Sequence, residues 1–317
     1  MTNPKYIYEL LLDHCDTDAV VDKLMIGLVW TLCQSKHGTG LAMSPSLAPR
    51  TLPWAGELVG KQLKDLAAWI LEWQPHKATI AMAAINSCLN NHSLPDSVAL
   101  DNTSQHPNLA VFDYFLPQLK DKKVVVIGHY PNIEQYQDLM QLSVLEKQPN
   151  GDDLPDAACE FLLPDADWVF LTASSLPNKT FPRLAELATS AKTVLMGATT
   201  PWLPQLHEFG IDYLAGVGVT DESLLYQTAA QGGGVRIFNH GLCYRVAELT
   251  PTSSMTWLKQ QIADCAAQRV QLKTEMDLWY ANNRGRFPKY ALLEQVSNRL
   301  SRLDTSYKPL WDNYGNV

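Results

Sequence analysis

Three polar segments, each directly after a β-branched run, hold the residues best suited to chemistry. They are Gly128-His129-Tyr130-Pro131-Asn132, Thr172-Ala173-Ser174-Ser175-Leu176-Pro177-Asn178-Lys179-Thr180 and Gly197-Ala198-Thr199-Thr200-Pro201-Trp202. In an open α/β sheet, ligands gather beyond the carboxyl ends of the strands, beside the point where strand order reverses. An imidazole there suits a borderline transition ion, so His129 is the metal-ligand candidate, against the plainer alternative of a ring satisfied by backbone. In the second segment, Asn178 and Thr180 either cap a helix whose first turn holds Pro182 or join Lys179 and open amides in receiving a carboxylate or phosphate. Thr199 and Thr200 repeat this strand-to-helix design. Gly128 permits close backbone approach, yet no glycine follows it within five residues, so the GxGxxG pattern of NAD sites is missing. Glu146, closing the next β-branched run, is placed either to accept from ribose hydroxyls or to stand solvated in a turn.

Other polar residues complete no site in the sequence. Cys15, Cys33, Cys88, Cys159, Cys243 and Cys265 include no CxxC pair, which argues for reduced, buried thiols rather than a disulfide scaffold or zinc knuckle. His240 with Cys243, His14 with Cys15, and Cys88 with His92 each supply half a tetrahedral site. No nucleophile, base and oxyanion donor are legible together, so no catalytic residue is assigned.

The elements that must position these residues fall into three regions. Met25 to Cys33 and Gly40 to Met43 flank the turn-rich Gln34 to Thr39 as a hairpin. Val59, Leu63, Leu66, Ala67, Ile70 and Leu71 share one helical face, and an Ala-rich apolar helix follows over 77–89. The resulting ββαα unit occupies residues 1–120, with a connector over 93–120 marked by Pro95, Asn102 and Pro107. Runs at Val124–Ile127, Leu142–Leu145, Trp168–Leu171, Thr193–Met196 and Tyr213–Val217 recur at βαβ intervals, which predicts a Rossmann-like parallel sheet over 121–250. Helical spacing over 257–280 and 290–303, broken at Asn282-Asn283-Arg284-Gly285, predicts a C-terminal helical extension over 251–317. Its Trp257, Trp279, Tyr280, Tyr290, Tyr307 and Trp311 are expected to be buried, on the body or across a homodimer axis.

Composition narrows the partners. The 317 residues carry 25 Lys+Arg against 33 Asp+Glu, a formal charge of −8, which opposes a nucleic-acid footprint or a polybasic membrane surface. With 46% hydrophobic and 18% charged residues, a sizeable core can be buried. The first residues show no basic segment leading into an apolar one, and no apolar run reaches membrane-spanning length, so a cytoplasmic location is expected.

A resemblance rests on an ordered series of short motifs. Ala83-Ala84-Ile85-Asn86, Val125-Val126-Ile127-Gly128-His129-Tyr130-Pro131, Leu145-Glu146, Leu163-Pro164-Asp165-Ala166-Asp167, Asn178-Lys179-Thr180, Gly197-Ala198-Thr199-Thr200-Pro201 and Ala215-Gly216-Val217 together resemble the “putative heavy-metal chelation” family. The chain has Ala198 and Thr199 where that family's loop usually has Pro and Ser. The resemblance implies an enolase N-terminal-like domain followed by a Rossmann-like domain, with a cleft between them formed by Asn86, His129, Glu146, Asn178, Thr180 and Thr199. It further implies a transition metal ion, or a small molecule that chelates one, as the ligand. An enzyme using a nucleotide or S-adenosylmethionine-like ligand is the alternative reading, and an assembly module acting through the aromatic tail a further one.

Overall fold

The computed structural model describes residues 3–15, 18–46, 51–90, 96–101 and 105–315. His92, Pro95 and Asn102 lie outside them. Helix α1 (Tyr6–Asp13) leads into a three-stranded antiparallel sheet of β1 (Lys23–Ile26), β2 (Trp30–Ser35) and β3 (Gly38–Met43), in that order. The segment expected as one strand over Met25–Cys33 is two, because the chain turns at Gly27, whose N–H donates to the Trp30 carbonyl at 2.9 Å. Helix α2 (Leu63–Ala67) continues as a 3-10 turn over Ala68–Leu71.

Helix α3 (Pro75–Leu89) begins where Gln74 accepts from the Lys77 N–H at 2.6 Å, with proline in the first turn, where its missing N–H costs nothing. Every residue from Ala78 to Leu89 is buried, so the Ala-rich composition reflects packing on all sides. Strand β3 lies directly on it: a Cβ on Gly40 would stand 2.1 Å from the Ala83 carbonyl oxygen and from the Ser87 nitrogen. Only glycine permits that approach.

The segment expected as connector carries a short strand, β4 (Val98–Ala99), and a helix, α4 (Ala110–Leu119). Phe112 and Phe115 of α4 are fully buried. Pro117 inside the helix and exposed Asp113 and Tyr114 obscure its period in the sequence.

The second sheet has eight strands: β4, β5 (Lys123–Ile127), β6 (Gln141–Glu146), β7 (Leu154–Pro155), β8 (Trp168–Thr172), β9 (Lys192–Met196), β10 (Tyr213–Val219) and β11 (Leu242–Glu248). Their order is β4-β11-β10-β9-β8-β5-β6-β7. All neighbours from β10 to β7 run parallel, while β11 is antiparallel to both β10 and β4. Both faces are covered, as β-branched strands with no polar side require. Val125, Val169 and Leu171 enter one core with α6 (Phe181–Leu187), which follows the short α5 (Cys159–Leu162). Val124, Val126 and Phe170 enter the other with α4 and α7 (Glu222–Ala230). Each core runs on into the first sheet, through Cys33 and Ala42 on one side and Leu32 and Leu41 on the other.

Helix α8 (Pro251–Asn282) opens with a reciprocal cap between Thr250 and Ser253, and α9 (Tyr290–Tyr314) returns along it. The seam between them is aliphatic, with Leu272, Leu293, Val296, Leu300 and Leu303 buried. Of the aromatic residues expected to be buried, only Trp257 is; Trp279 and Tyr307 are half-buried, and Tyr280, Tyr290 and Trp311 are exposed. Aliphatic side chains fill the seam, which leaves the rings on the hairpin's outer faces. Among the described residues, no helix is long and apolar enough to cross a membrane.

His14 locks this hairpin to the body. Its ring meets Trp257 edge-on at 4.9 Å between centroids, and Nε2 lies 2.7 Å from Gln205 Oε1, while Nδ1 is buried with no partner. Burial holds its pKa down at about 4, with Arg299 and Arg302 adding to the effect and the Gln205 contact opposing it. The unfolded chain binds the proton near 6.5, so it gains a proton below that pH which the folded state refuses until about 4. Stability should therefore fall across this window by on the order of 3 kcal/mol through this one group. Urea unfolding at stepped pH should show that loss in the wild type and not in His14→Gln; parallel pH profiles would refute the assignment.

Candidate functional site

Along the parallel part of the sheet the chain moves from β5 outward to β6 and β7, then recrosses to β8, β9 and β10. Strand order thus reverses between β5 and β8, where doubly wound sheets bind their ligands. The backbone there is bare. Gly128 follows β5 with φ +98°, and a Cβ on it would come within 3.3 Å of Thr172 Cβ at the end of β8. Gly197 follows β9 with φ +110°.

Around this reversal the structure brings together Gly128, His129 and Glu146. The His129 N–H donates to Glu146 Oε2 at 3.0 Å, and the Lys147 N–H donates to Oε1 at 2.8 Å. The carboxylate closes the end of β6 on two backbone amides. His129 Nδ1 meets Asp153 Oδ1 at 3.0 Å, with the imidazole 40% and the carboxylate 6% exposed. A nearly buried carboxylate thus orients a half-exposed ring and leaves Nε2 as the nitrogen able to meet a ligand.

Tyr130, Thr172, Ser174 and Asp153 belong to the same neighbourhood but are not evident as site residues in the sequence. Tyr130 turns back over the strand ends, its hydroxyl 3.7 Å from where a Gly197 Cβ would lie. It shares a hydrogen bond with Thr172, and burial pushes its phenol well above the ordinary range. Thr172 Oγ1 lies 3.0 Å from Ser174 Oγ. Adjacency to His129 is the signal Tyr130 carries in the sequence; Asp153 carries none, because its partner depends on where β7 folds back.

Asn86, Thr199 and Thr200 form a second group, at the joint between the sheets. Asn86 Nδ2 donates to the Leu41 carbonyl at 2.7 Å and to the Thr199 carbonyl at 2.8 Å, and Thr199 Oγ1 accepts from the Met43 N–H at 2.9 Å. All three residues are buried, and Asn86 Oδ1 and Thr200 Oγ1 have no protein partner.

Asn178, Lys179 and Thr180 form a third group. Asn178 is exposed. Lys179 has φ +66° and donates from Nζ to the Ile70 carbonyl, over the Tyr8 ring at 4.7 Å; burial brings its pKa down to about 8. Its ammonium is thus engaged by the first region. Thr180 precedes α6 without a side-chain capping bond, contrary to the capping expectation, because its own backbone is already helical, at φ −92° and ψ −16°.

Among the described residues, no group of three or more His, Cys, Asp or Glu side chains could hold a metal ion. At the reversal, His129 Nδ1 is spent on Asp153 and both Glu146 oxygens accept backbone amides. One imidazole nitrogen and satisfied carboxylates do not make a cage for a bare ion.

Profiles of two families, both described as “Putative heavy-metal chelation”, match residues 8–89 and 110–248. The chain is similar to a protein of unknown function from the DUF364 family of Desulfitobacterium hafniense. Identity is 30% over 77% of this chain and 98% of that one, with a TM-score of 0.68. A second DUF364 protein of unknown function, from Pyrococcus horikoshii, shares the fold at 19% identity over 77% and 99% of the two chains, with a TM-score of 0.63. No curated protein matches.

Removing Asn86 Nδ2 strands two buried carbonyls, so Asn86→Ala should cost about 3 kcal/mol in urea unfolding, while Asn178→Ala, on the surface, should stay within about 0.5 kcal/mol. Equal effects would show that Asn86 does not carry the joint.

Proposed function

Because the chain belongs to the DUF364 family, described as “Putative heavy-metal chelation”, we propose that it binds a transition metal ion already held by a small chelating molecule, at the strand ends between β5 and β8. One observation carries this reading: His129 is oriented by Asp153 and half-exposed at the point of strand reversal, while among the described residues no group of three or more His, Cys, Asp or Glu side chains could hold an ion by itself. Such a ring can complete the coordination of an ion whose other positions a chelator fills. Gly128 and Gly197 form positive-φ turns at the same strand ends, closely approached by Thr172 and the Tyr130 hydroxyl.

A nucleotide or S-adenosylmethionine-like ligand is the weaker reading, since Glu146 already accepts two amides instead of awaiting ribose hydroxyls. Solution in the cytoplasm and a homodimer joined through the exposed Tyr290 and Trp311 of the tail complete the proposal.

Protein purified without an affinity tag, titrated with Ni(II) alone and with Ni(II)–citrate, tests the site. At a hundredfold excess over Kd, the chelate should stabilise the wild type by about 2.7 kcal/mol, a rise of roughly 5 °C in melting temperature. His129→Ala should lose that rise, and Ni(II) alone should give a smaller one. Equal affinities in wild type and variant, or none in either, would reject the proposal, and a shift with adenosine instead would favour the nucleotide reading. Light scattering at micromolar concentration should give twice the 35.4 kDa chain mass; a monomer would remove the dimer.

A further inference from the structure

Away from the strand ends, three cysteines converge inside the first region. Cys15 follows α1, Cys33 lies on β2 and Cys88 is near the end of α3; all are buried, free thiols in one core cluster. The topology forces the approach. Cys33 pairs across the hairpin with Gly40, and Gly40 rests on the backbone of Asn86 and Ser87, next to Cys88. The thiols of Cys15 and Cys88 are hydrogen-bonded to each other.

Two further features distinguish this cluster from ordinary core cysteines. A shallow surface depression has Cys15 among its lining residues, together with Asp13, Lys64, Asp65 and Arg302. The guanidinium of Arg299, from α9, is close enough to favour the Cys15 thiolate, against the hydrogen bond to Cys88 and burial, which raise its pKa. Its Nε is buried with no hydrogen-bond partner. Burial, with Cys88 and Asp22 adding to it, pushes the Cys33 thiol up to about 12.

We propose that Cys15 and Cys88 form a two-sulfur site for a soft monovalent d10 cation of the Cu(I) class. Thiolates select soft ions, and such ions are satisfied by two sulfurs in line, which is why a pair suffices where a tetrahedral ion would need four ligands. Binding forms two metal–sulfur bonds and releases two protons to solvent, M+ + 2 RSH → [M(SR)2]− + 2 H+, with no electron transferred. The single negative charge left behind lies within the field of Arg299.

The site is independent of His129, and the test separates the two. The reduced full chain, in thiol-free buffer, is titrated with Ag(I), a redox-inert member of the same class, and followed by ultraviolet thiolate-to-metal absorption. One tight equivalent is expected in the wild type and in His129→Ala and Cys243→Ser. Cys15→Ser and Cys88→Ser should each weaken it beyond the ~10–100-fold that loss of an outer-shell partner costs. Retention of the tight equivalent in the double variant Cys15→Ser/Cys88→Ser, or its absence from the wild type, overturns the site. X-ray absorption of the Cu(I)-loaded wild type needs no variant: two sulfur neighbours are expected, and a shell of nitrogen or oxygen refutes the proposal.

Discussion

A helix buried on every side must satisfy its polar side chains within the protein, and α3 uses that requirement to join two sheets. Asn86, fully buried, donates one hydrogen bond to β3 and one to the loop after β9. Gly40 lets β3 lie against the helix backbone at a separation no other residue permits. The first sheet therefore has a fixed position over the strand ends of the second, and Met43, whose N–H is taken by Thr199, is held in the same joint. Two further contacts, Trp30 Nε1 to the Gly234 carbonyl and Thr39 Oγ1 to Glu222, brace the hairpin against the region of α7. The polar groups at the joint serve position, and His129 and Glu146 at the strand reversal form a separate group.

That division of labour explains what the sequence could reveal. Strands β5, β8 and β9 are legible because a parallel strand buried on both faces reads as an unbroken apolar run, and β6 and β10 by their spacing from these. Strand β11 is not: Arg245 interrupts its pattern, and only the fold shows that its guanidinium reaches Ser97. Strand β4 has two residues, too few for any period. The tail's two helices were readable from spacing, but the exposure of Tyr280, Tyr290 and Trp311 was not, since spacing cannot say that aliphatic residues alone would fill the seam.

The polar candidates separate by the same logic. His129 and Glu146 follow their strands by two residues and none, so a strand assignment alone places them near each other. Lys179 is a cation in a loop when read in sequence, yet its partner is a carbonyl 109 positions away, and that distant contact decides what the ammonium faces. Thr199 and Asn86 are polar side chains in the sequence and structural ties in the fold. Long-range pairing, not residue type, distinguishes a group available to a ligand from one already engaged.

The pairing of β4 with β11 has a bearing on how the chain is made. Arg245 bonds to Ser97 across 148 positions, so the sheet edge at β11 closes only after most of the chain has left the ribosome. Until then a hydrogen-bonding edge is open to other chains, and contacts of such separation form late. A strand of two residues is then a latch: short enough to wait, and set early in the chain so that it is already present when its partner is synthesised. Fragments that begin at α4 would emerge with that edge unlatched, and it is there that they would associate.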